Sequence, residues 1–574
     1  MKNPPLLPSY PLHDLRELVF KAAQRKPDKA ALKSKTKGVW TSTTYAQLRE
    51  QVEHMATFYF ECGLKAGERI GILSENRTEW CIAYLAAVAS GMTALPIDKD
   101  LKPREVRHIL KFAEAALLVC GGEFAAALED VRGDIETLEK VVSMEEEKGV
   151  ADLSFPEALE IGYQALEEGS QAFAQAQVSP DDVAAIIFTS GTTGNPKGVM
   201  LTHGNIAADI KATSEYVSIA GEEDVLLSVL PLHHTYECTG GFLMVLYQGS
   251  TVCHAENLRR IAENMAETRT TIMLGVPLLF EMIYRRIEEG LRKKGEGKIR
   301  TAKKVASFTE RFLGWNIRRR LFKELHQRFG GKLRLLISGG AAIDPAVSKG
   351  FRELGIDFIQ GYGMTEAAPI VAVNRVNCFR DAAAGIPLPG VEVKIEKGEI
   401  CVRGDIVMKG YYRNPEATAE TIIDGWLHTG DLGYLEDGFV YINGRKKSVI
   451  VTPNGKNVYP EELETALNQS PYILESLVWG GPEEDPSQVE VQAIVVPDSE
   501  GFDQEFGASS YDDDKVQQVI SAEIKRICMD MANYKKIKKF TLRQEEFEKT
   551  TTKKIKRFLY TGRPQAVATE GAKR

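Results

Sequence analysis

The sequence predicts an α/β protein: a large N-terminal domain of layered α/β sheets with a small β-barrel-like subdomain, followed by a small α+β C-terminal domain. Three observations predict it. Short apolar runs alternate with helical patterns along most of the chain, as they do in α/β proteins. Between Val391 and Ile442 the texture changes to short strands and turns, punctuated by Gly410, Gly425, Gly430, Gly433 and Gly438. After Gly444 a compact α+β pattern returns and runs to about Arg557. The length of 574 residues corresponds to roughly four folding units at about 150 residues each. A hydrophobic share of 43% and a charged share of 26% exclude a largely disordered or fibrous chain.

The elements follow in order. The N-terminal Met-Lys-Asn-Pro-Pro has no apolar segment of the secretory type. The longest apolar stretch, Tyr84 to Ile97, is interrupted by Ser90 and Gly91, short of the roughly 18 residues a membrane span requires. Val183 to Phe188 reads as a buried strand, and so does Leu333 to Ile337. The antiparallel β subdomain spans about 385–443, with strands expected at Val391–Ile395, Glu399–Arg403 and Phe439–Ile442. The main boundary falls at Gly444-Arg445, giving domains 1–444 and 445–574, and the small polar residues after about 560 read as a frayed tail. Eight scattered cysteines form no CxxC pair for zinc or redox chemistry, which fits a reducing, cytoplasmic setting.

The net charge of −8 is unevenly spread. Between Arg285 and Arg334 stand 17 Lys or Arg against 5 Glu, a local excess of 12, so the rest of the chain carries −20. Arg318, Arg319 and Arg320 are interleaved with Phe312, Leu313, Trp315, Ile317, Leu321 and Phe322. Bases mixed with large apolar residues suit a helix lying on an anionic surface, peripheral at the inner face of a membrane. They equally suit a solvated basic helix whose apolar stripe joins the core, and periodicity does not separate the two. Nucleic acid is not expected as a partner, because no recognition motif accompanies the patch.

The strongest local signal is Thr189-Ser190-Gly191-Thr192-Thr193-Gly194-Asn-Pro-Lys197-Gly198, directly after a strand. Its glycines let backbone N–H groups converge on one anion, its hydroxyls add donors, and Lys197 adds charge. The spacing is not that of a Walker loop, since Gly198 stands where Ser or Thr would follow the lysine. This segment resembles the phosphate-binding signature of the adenylate-forming enzymes: acyl-CoA synthetases, luciferases and peptide-synthetase adenylation domains. Gly361-Tyr362-Gly363-Met-Thr365-Glu366, Gly425-Trp-Leu-His-Thr-Gly-Asp431 and Gly444-Arg445-Lys-Lys447 resemble the family's later motifs, in family order.

The resemblance implies attack of a carboxylate on the α-phosphate of ATP, with pyrophosphate released, and then transfer of the acyl group to a thiol. A fatty acid ionises at about 4 to 5, so no general base is required; the obstacle is repulsion between anions. By the family pattern, Thr189 and Glu366 hold Mg²⁺, Thr365 touches the α-phosphate and Tyr362 stacks on adenine. Gly339, Gly340 and Ala341, after an apolar strand, let the base lie against the backbone. Asp431 takes the ribose hydroxyls with Arg445 beside it. Taken alone, Glu366 is a surface acid and Asp431 a turn former; the flanking motifs reverse both readings. The C-terminal lysine falls in Glu548-Lys-Thr-Thr-Thr-Lys553-Lys554, where Glu548 and Lys553 replace the family's proline and glycine. Register favours Lys554, with Lys553 as its rival. Lys447 matches the hinge about which such a C-terminal domain moves.

Leu230-Pro-Leu-His-His-Thr-Tyr-Glu237 resembles the motif lining the acyl pocket, with His234 at its aromatic or histidine position. No third metal ligand is evident near the His-His pair in sequence, so a metal is not expected there. The basic segment before Leu335 resembles that of long-chain enzymes. The expected activity is therefore a long-chain fatty acid:CoA ligase using ATP, Mg²⁺ and coenzyme A. Three alternatives stand: delivery to a carrier-protein thiol, a non-catalytic acyl-nucleotide sensor, and a membrane-peripheral scaffold. Oligomeric state is open, and a homodimer is compatible with the sequence.

Overall fold

The computed structural model describes residues 5–189, 196–217, 221–292, 296–313, 317–481, 489–506, 513–529, 531–550 and 554–561. Ser190, Gly191, Thr192, Thr193 and Gly194, the rival Lys553, Trp315 and the tail beyond Thr561 lie outside them. The chain divides into two compact units. The first holds residues 1–394, 401–428 and 436–440; the second holds 395–400, 429–435 and 441–574. The strands Glu392–Glu396, Glu399–Arg403, Trp426–Glu436 and Phe439–Arg445 run from one unit into the other.

Two large sheets build the first unit. One has nine strands with a parallel centre: Asp357–Gly363, Leu335–Ser338, Ile272–Gly275, Val225–Ser228, Thr251–His254 and Ala30–Thr36 lie side by side. The other has eight, ordered Gly410–Tyr411, Lys197–Thr202, Val183–Thr189, Thr93–Pro96, Arg69–Leu73, Ala115–Cys120, Lys140–Ser143 and Leu153–Ser154. Its first three strands are antiparallel and the rest parallel. Parallel strands covered on both faces need apolar side chains throughout, and Ala115–Cys120 is buried at every position. The apolar stretch Tyr84 to Ile97 is split: the helix Thr78–Ala89 is buried from Trp80 onward, and Thr93–Pro96 is a central strand. Gly91, at φ +74°, makes the turn between them. Among the described residues no helix is long and apolar enough to cross a membrane.

Helix starts are written into the sequence. Thr44, Ser154 and Thr202 each close a reciprocal cap with the residue three positions on, Gln47, Glu157 and Asn205, satisfying N–H groups the helix leaves orphaned. The strand expected at Leu333 to Ile337 begins two residues later, at Leu335, and extends to Ser338. The second unit packs the antiparallel strands Ile473–Gly481 and Glu490–Pro497, with Lys539–Leu542 parallel to the latter, against helices Pro460–Leu467 and Asp513–Ile527. Its core includes Val458, Leu467, Val478, Val495 and Ile520. All eight cysteines are free thiols, seven of them buried.

Candidate active site

In the first unit the strands Val183–Thr189 and Lys197–Thr202 form the two arms of a hairpin around the Gly/Thr segment. Thr189 pairs with Lys197, so the last residue before the turn and the lysine after it sit opposite each other, both half-buried. Thr365 and Glu366 open a tight 3₁₀ turn after the strand Asp357–Gly363. Tyr362 is buried on that strand, and Gly361 and Gly363 flank it. At Gly363 a Cβ would fall 1.8 Å from the Pro369 carbonyl oxygen, so the close approach of the next strand demands glycine. Gly339 meets the ring of Tyr236 in the same way, at 2.8 Å, while Gly340 takes a left-handed φ of +86°. Ala341 follows, exposed.

A short segment, of which the sequence reading marked Gly410 alone, joins these two motifs. The edge strand Gly410–Tyr411 pairs antiparallel with Met200 and Val199. Around it, the Tyr412 N–H donates to the Gly198 carbonyl at 2.7 Å, Lys409 N–H to Met200 at 3.0 Å and Met408 N–H to Glu366 at 2.9 Å. The Tyr411 hydroxyl donates to Glu366 Oε1 at 3.0 Å, and the Lys197 ammonium lies 4.8 Å from the centre of the same ring.

His234 is half-buried, its ring 4.2 Å from that of buried His233. The expectation that this pair lacks a third ligand is corrected: Asp98, more than a hundred residues earlier in the chain, brings a carboxylate oxygen within 4.8 Å of both imidazoles. His233 Nε2 lies 3.6 Å from Asp98 Oδ1, beyond hydrogen-bond length. Burial, and then Lys99, push the His233 imidazole down to about 3, so it is neutral at physiological pH. Glu237, next in the motif, lies in a π-helical stretch, Tyr236–Leu243. Its carboxyl crowds the position a Cβ on Gly241 would take, at 2.6 Å. Burial lifts it to about 8 against the pull of the Ser228 hydroxyl, so it holds its proton at neutral pH.

In the second unit Asp431 is buried, its Oδ1 taking the Arg445 guanidinium at 2.8 Å. The Thr429 hydroxyl accepts the Asp431 N–H at 3.0 Å, and Arg445 also donates to the Thr429 carbonyl at 3.3 Å. Glu399 binds the Gly430 N–H with one oxygen and the Lys446 ammonium with the other. Lys447 is exposed. Lys554 is exposed near the C-terminal end of the described chain, its N–H donating to Thr550 Oγ1 and its carbonyl accepting from the Thr550 N–H. The surrounding atoms, and then the charge of Arg445, hold its ammonium below the ordinary lysine range, with Asp431 pulling the other way. Its basic neighbours are committed elsewhere: Lys549 to Glu475 and Glu546, Arg557 to Glu464.

The basic segment is partly structural. Arg318 pairs with Glu310 and bonds the Glu353 carbonyl, Arg319 bonds the Leu333 and Gly331 carbonyls, and Phe322 is buried in the core. The helix Glu296–Leu313 nonetheless turns Val305, Phe308 and Phe312 outward; the two rings lie 4.7 Å apart, tilted by 37°, and are 59% and 65% exposed. Lys304, Arg320, Lys323, Arg328 and Lys332 are exposed as well.

Residues 19–412 match the family of AMP-binding enzymes, and the chain belongs to that family. A long-chain-fatty-acid–CoA ligase of Mycobacterium bovis is 30% identical to it over 95% of this chain and 95% of that one. Long-chain-fatty-acid–CoA ligase 6 of Homo sapiens is 30% identical over 80% of this chain and 70% of that one. Among solved structures, ATP-bound MatB from Rhodopseudomonas palustris shares the fold, with a TM-score of 0.74 at 24% identity over 96% of this chain and 98% of that one.

Proposed function

We propose that this AMP-binding enzyme is a long-chain fatty acid:CoA ligase acting through an acyl-adenylate. A carboxylate oxygen attacks the α-phosphorus of ATP and pyrophosphate leaves; the CoA thiolate then attacks the acyl carbonyl and AMP leaves. The observation that carries this reading is the convergence of Lys197 and Glu366 on one aromatic ring, a cation and an acid brought to one place from distant motifs. The relatives named long-chain-fatty-acid–CoA ligases support it along nearly the whole chain.

The residues divide the work. Lys197, the donors of Ser190 to Gly194 and Thr365 receive phosphate oxygens, and Lys554 adds positive charge at the reacting phosphate. Tyr362 and the Gly339–Gly340–Ala341 backbone hold adenine, and Asp431 with Arg445 holds the ribose. Thr189 and Glu366 offer only hard oxygen donors, the chemistry Mg²⁺ selects, and they would hold that ion. When bound, Mg²⁺ neutralises phosphate charge. His234 lines the acyl pocket, Lys447 is the hinge, and residues 445–574 form the domain that carries Lys554 toward and away from the nucleotide.

The exposed ridge of Val305, Phe308 and Phe312, in a segment with twelve excess positive charges, supports peripheral contact with an anionic bilayer. A second copy of the chain would set like charges face to face. Phe308→Ser with Phe312→Ser should lower binding to phosphatidylglycerol-containing vesicles by about tenfold, with activity on detergent-dispersed acid unchanged. Undiminished vesicle binding removes the contact.

A panel of acids from C2 to C18, read as CoA-dependent AMP release, tests the function itself. Release that peaks with long chains supports it. Acyl-dependent pyrophosphate–ATP exchange without CoA consumption points instead to a carrier-protein thiol. ATP binding without exchange points to a sensor.

A further inference from the structure

We propose that Tyr411 is a positioning residue: a neutral spacer that keeps Lys197 and Glu366 apart and fixes both toward the magnesium nucleotide. The proposal rests on the ligase reading, since it assigns those two residues to phosphate and metal. Tyr411 is 7% exposed on a two-residue edge strand. Its backbone and that of its neighbours are hydrogen-bonded to Gly198, Met200 and Glu366, the ends of both motifs. Its N–H donates to Thr418 Oγ1 at 2.9 Å, and at Gly410 a Cβ would fall 2.8 Å from the Thr418 side chain. The ring is therefore held from several sides.

The chemistry of the two contacts differs in a useful way. A phenol ordinarily ionises at about 10, so at neutral pH the Tyr411 hydroxyl keeps its proton and donates to Glu366. The donated bond occupies Oε1 of Glu366 and leaves Oε2 for a metal. Lys197 meets the ring as a cation over a π face, an attraction that uses none of its three N–H donors. An ammonium and a carboxylate that meet directly pair, cancelling the charge each must offer a ligand. The phenol satisfies the acid and the ring steadies the base.

Calorimetry of ATP binding across a Mg²⁺ titration, run beside acyl-dependent pyrophosphate–ATP exchange, tests this. Tyr411→Phe keeps the ring and removes the hydroxyl; it should raise the half-saturating Mg²⁺ about tenfold, the weight of one hydrogen bond to a charged group, and leave ATP affinity at saturating metal within about twofold. Tyr411→Leu removes both contacts and should weaken ATP binding as well. Because the phenol acts through Glu366, adding Tyr411→Phe to Glu366→Gln should cost nothing further. An unchanged Mg²⁺ requirement in Tyr411→Phe, equal losses in Phe and Leu, or full additivity with Glu366→Gln overturns the proposal. Wild-type protein that binds Mg²⁺–ATP without exchange refutes the ligase reading alone, because the Tyr411 comparison is still read from binding. Wild-type protein that binds no nucleotide refutes both.

Discussion

The two lysines assigned to the reaction are held in opposite ways. Lys197 begins a strand paired on both sides, in the first unit, with its ammonium over a buried ring. Lys554, in the second unit, is exposed and meets Thr550 through its backbone N–H and carbonyl. One cation lies within a sheet and the other near the C-terminal end of the described chain. A positive charge that only binds phosphate can be permanent, whereas one needed for a single step of two is better carried on an element that leaves.

This contrast can be broken at its strongest point first. Lys554→Ala should slow adenylation by roughly 10²–10³-fold, as loss of a transition-state charge partner does, while thioester formation from supplied acyl-AMP is spared. Lys197→Ala should instead raise the KM for ATP by about tenfold, the loss of a charged contact made equally in the ground state. Equal damage to both half-reactions by Lys554→Ala, measured with separate exchange and thiolysis assays, would falsify the division of labour.

The pH profile sharpens the comparison. The proposed role needs Lys554 as a cation, and its ammonium is held below the ordinary lysine range, so adenylation should fall as pH rises through that lowered value. Lys554→Arg keeps its charge throughout and should lose this alkaline limb. The smallest effect belongs to Arg445→Gln, read at saturating ATP. Removing a positive neighbour should shift the limb upward, toward the free lysine value. A limb that moves down, or does not move, would show that Arg445 is not what faces Lys554.

Much of this was legible because it is local. Thr189 to Gly198, Tyr362 to Glu366 and Gly430-Asp431 are each recognisable as motifs within a few consecutive residues, and the strand before the first announces itself as an apolar run. What escaped was made by distance. Tyr411 reaches Glu366 across 45 residues through a strand of two, too short to register as a pattern. Asp98 meets His233 from another strand's end, with no spacing to betray it. The π-helical stretch Tyr236–Leu243 departs from the 3.6-residue period on which helix reading depends. Arg318 and Arg319 read as surface charge because their carbonyl partners lie on other segments.

The cysteines have a consequence for an enzyme that makes acyl-adenylates, mixed anhydrides that any thiolate within reach attacks, releasing AMP. Burial pushes the thiols of Cys120, Cys238 and Cys253 up to about 12 and Cys62, the one partly open to solvent, up to about 11. At neutral pH these sulfurs keep their protons and offer the activated acid no nucleophile. The chain is thereby protected from self-acylation at those sites, and the electrophile is left for the thiol that arrives from outside.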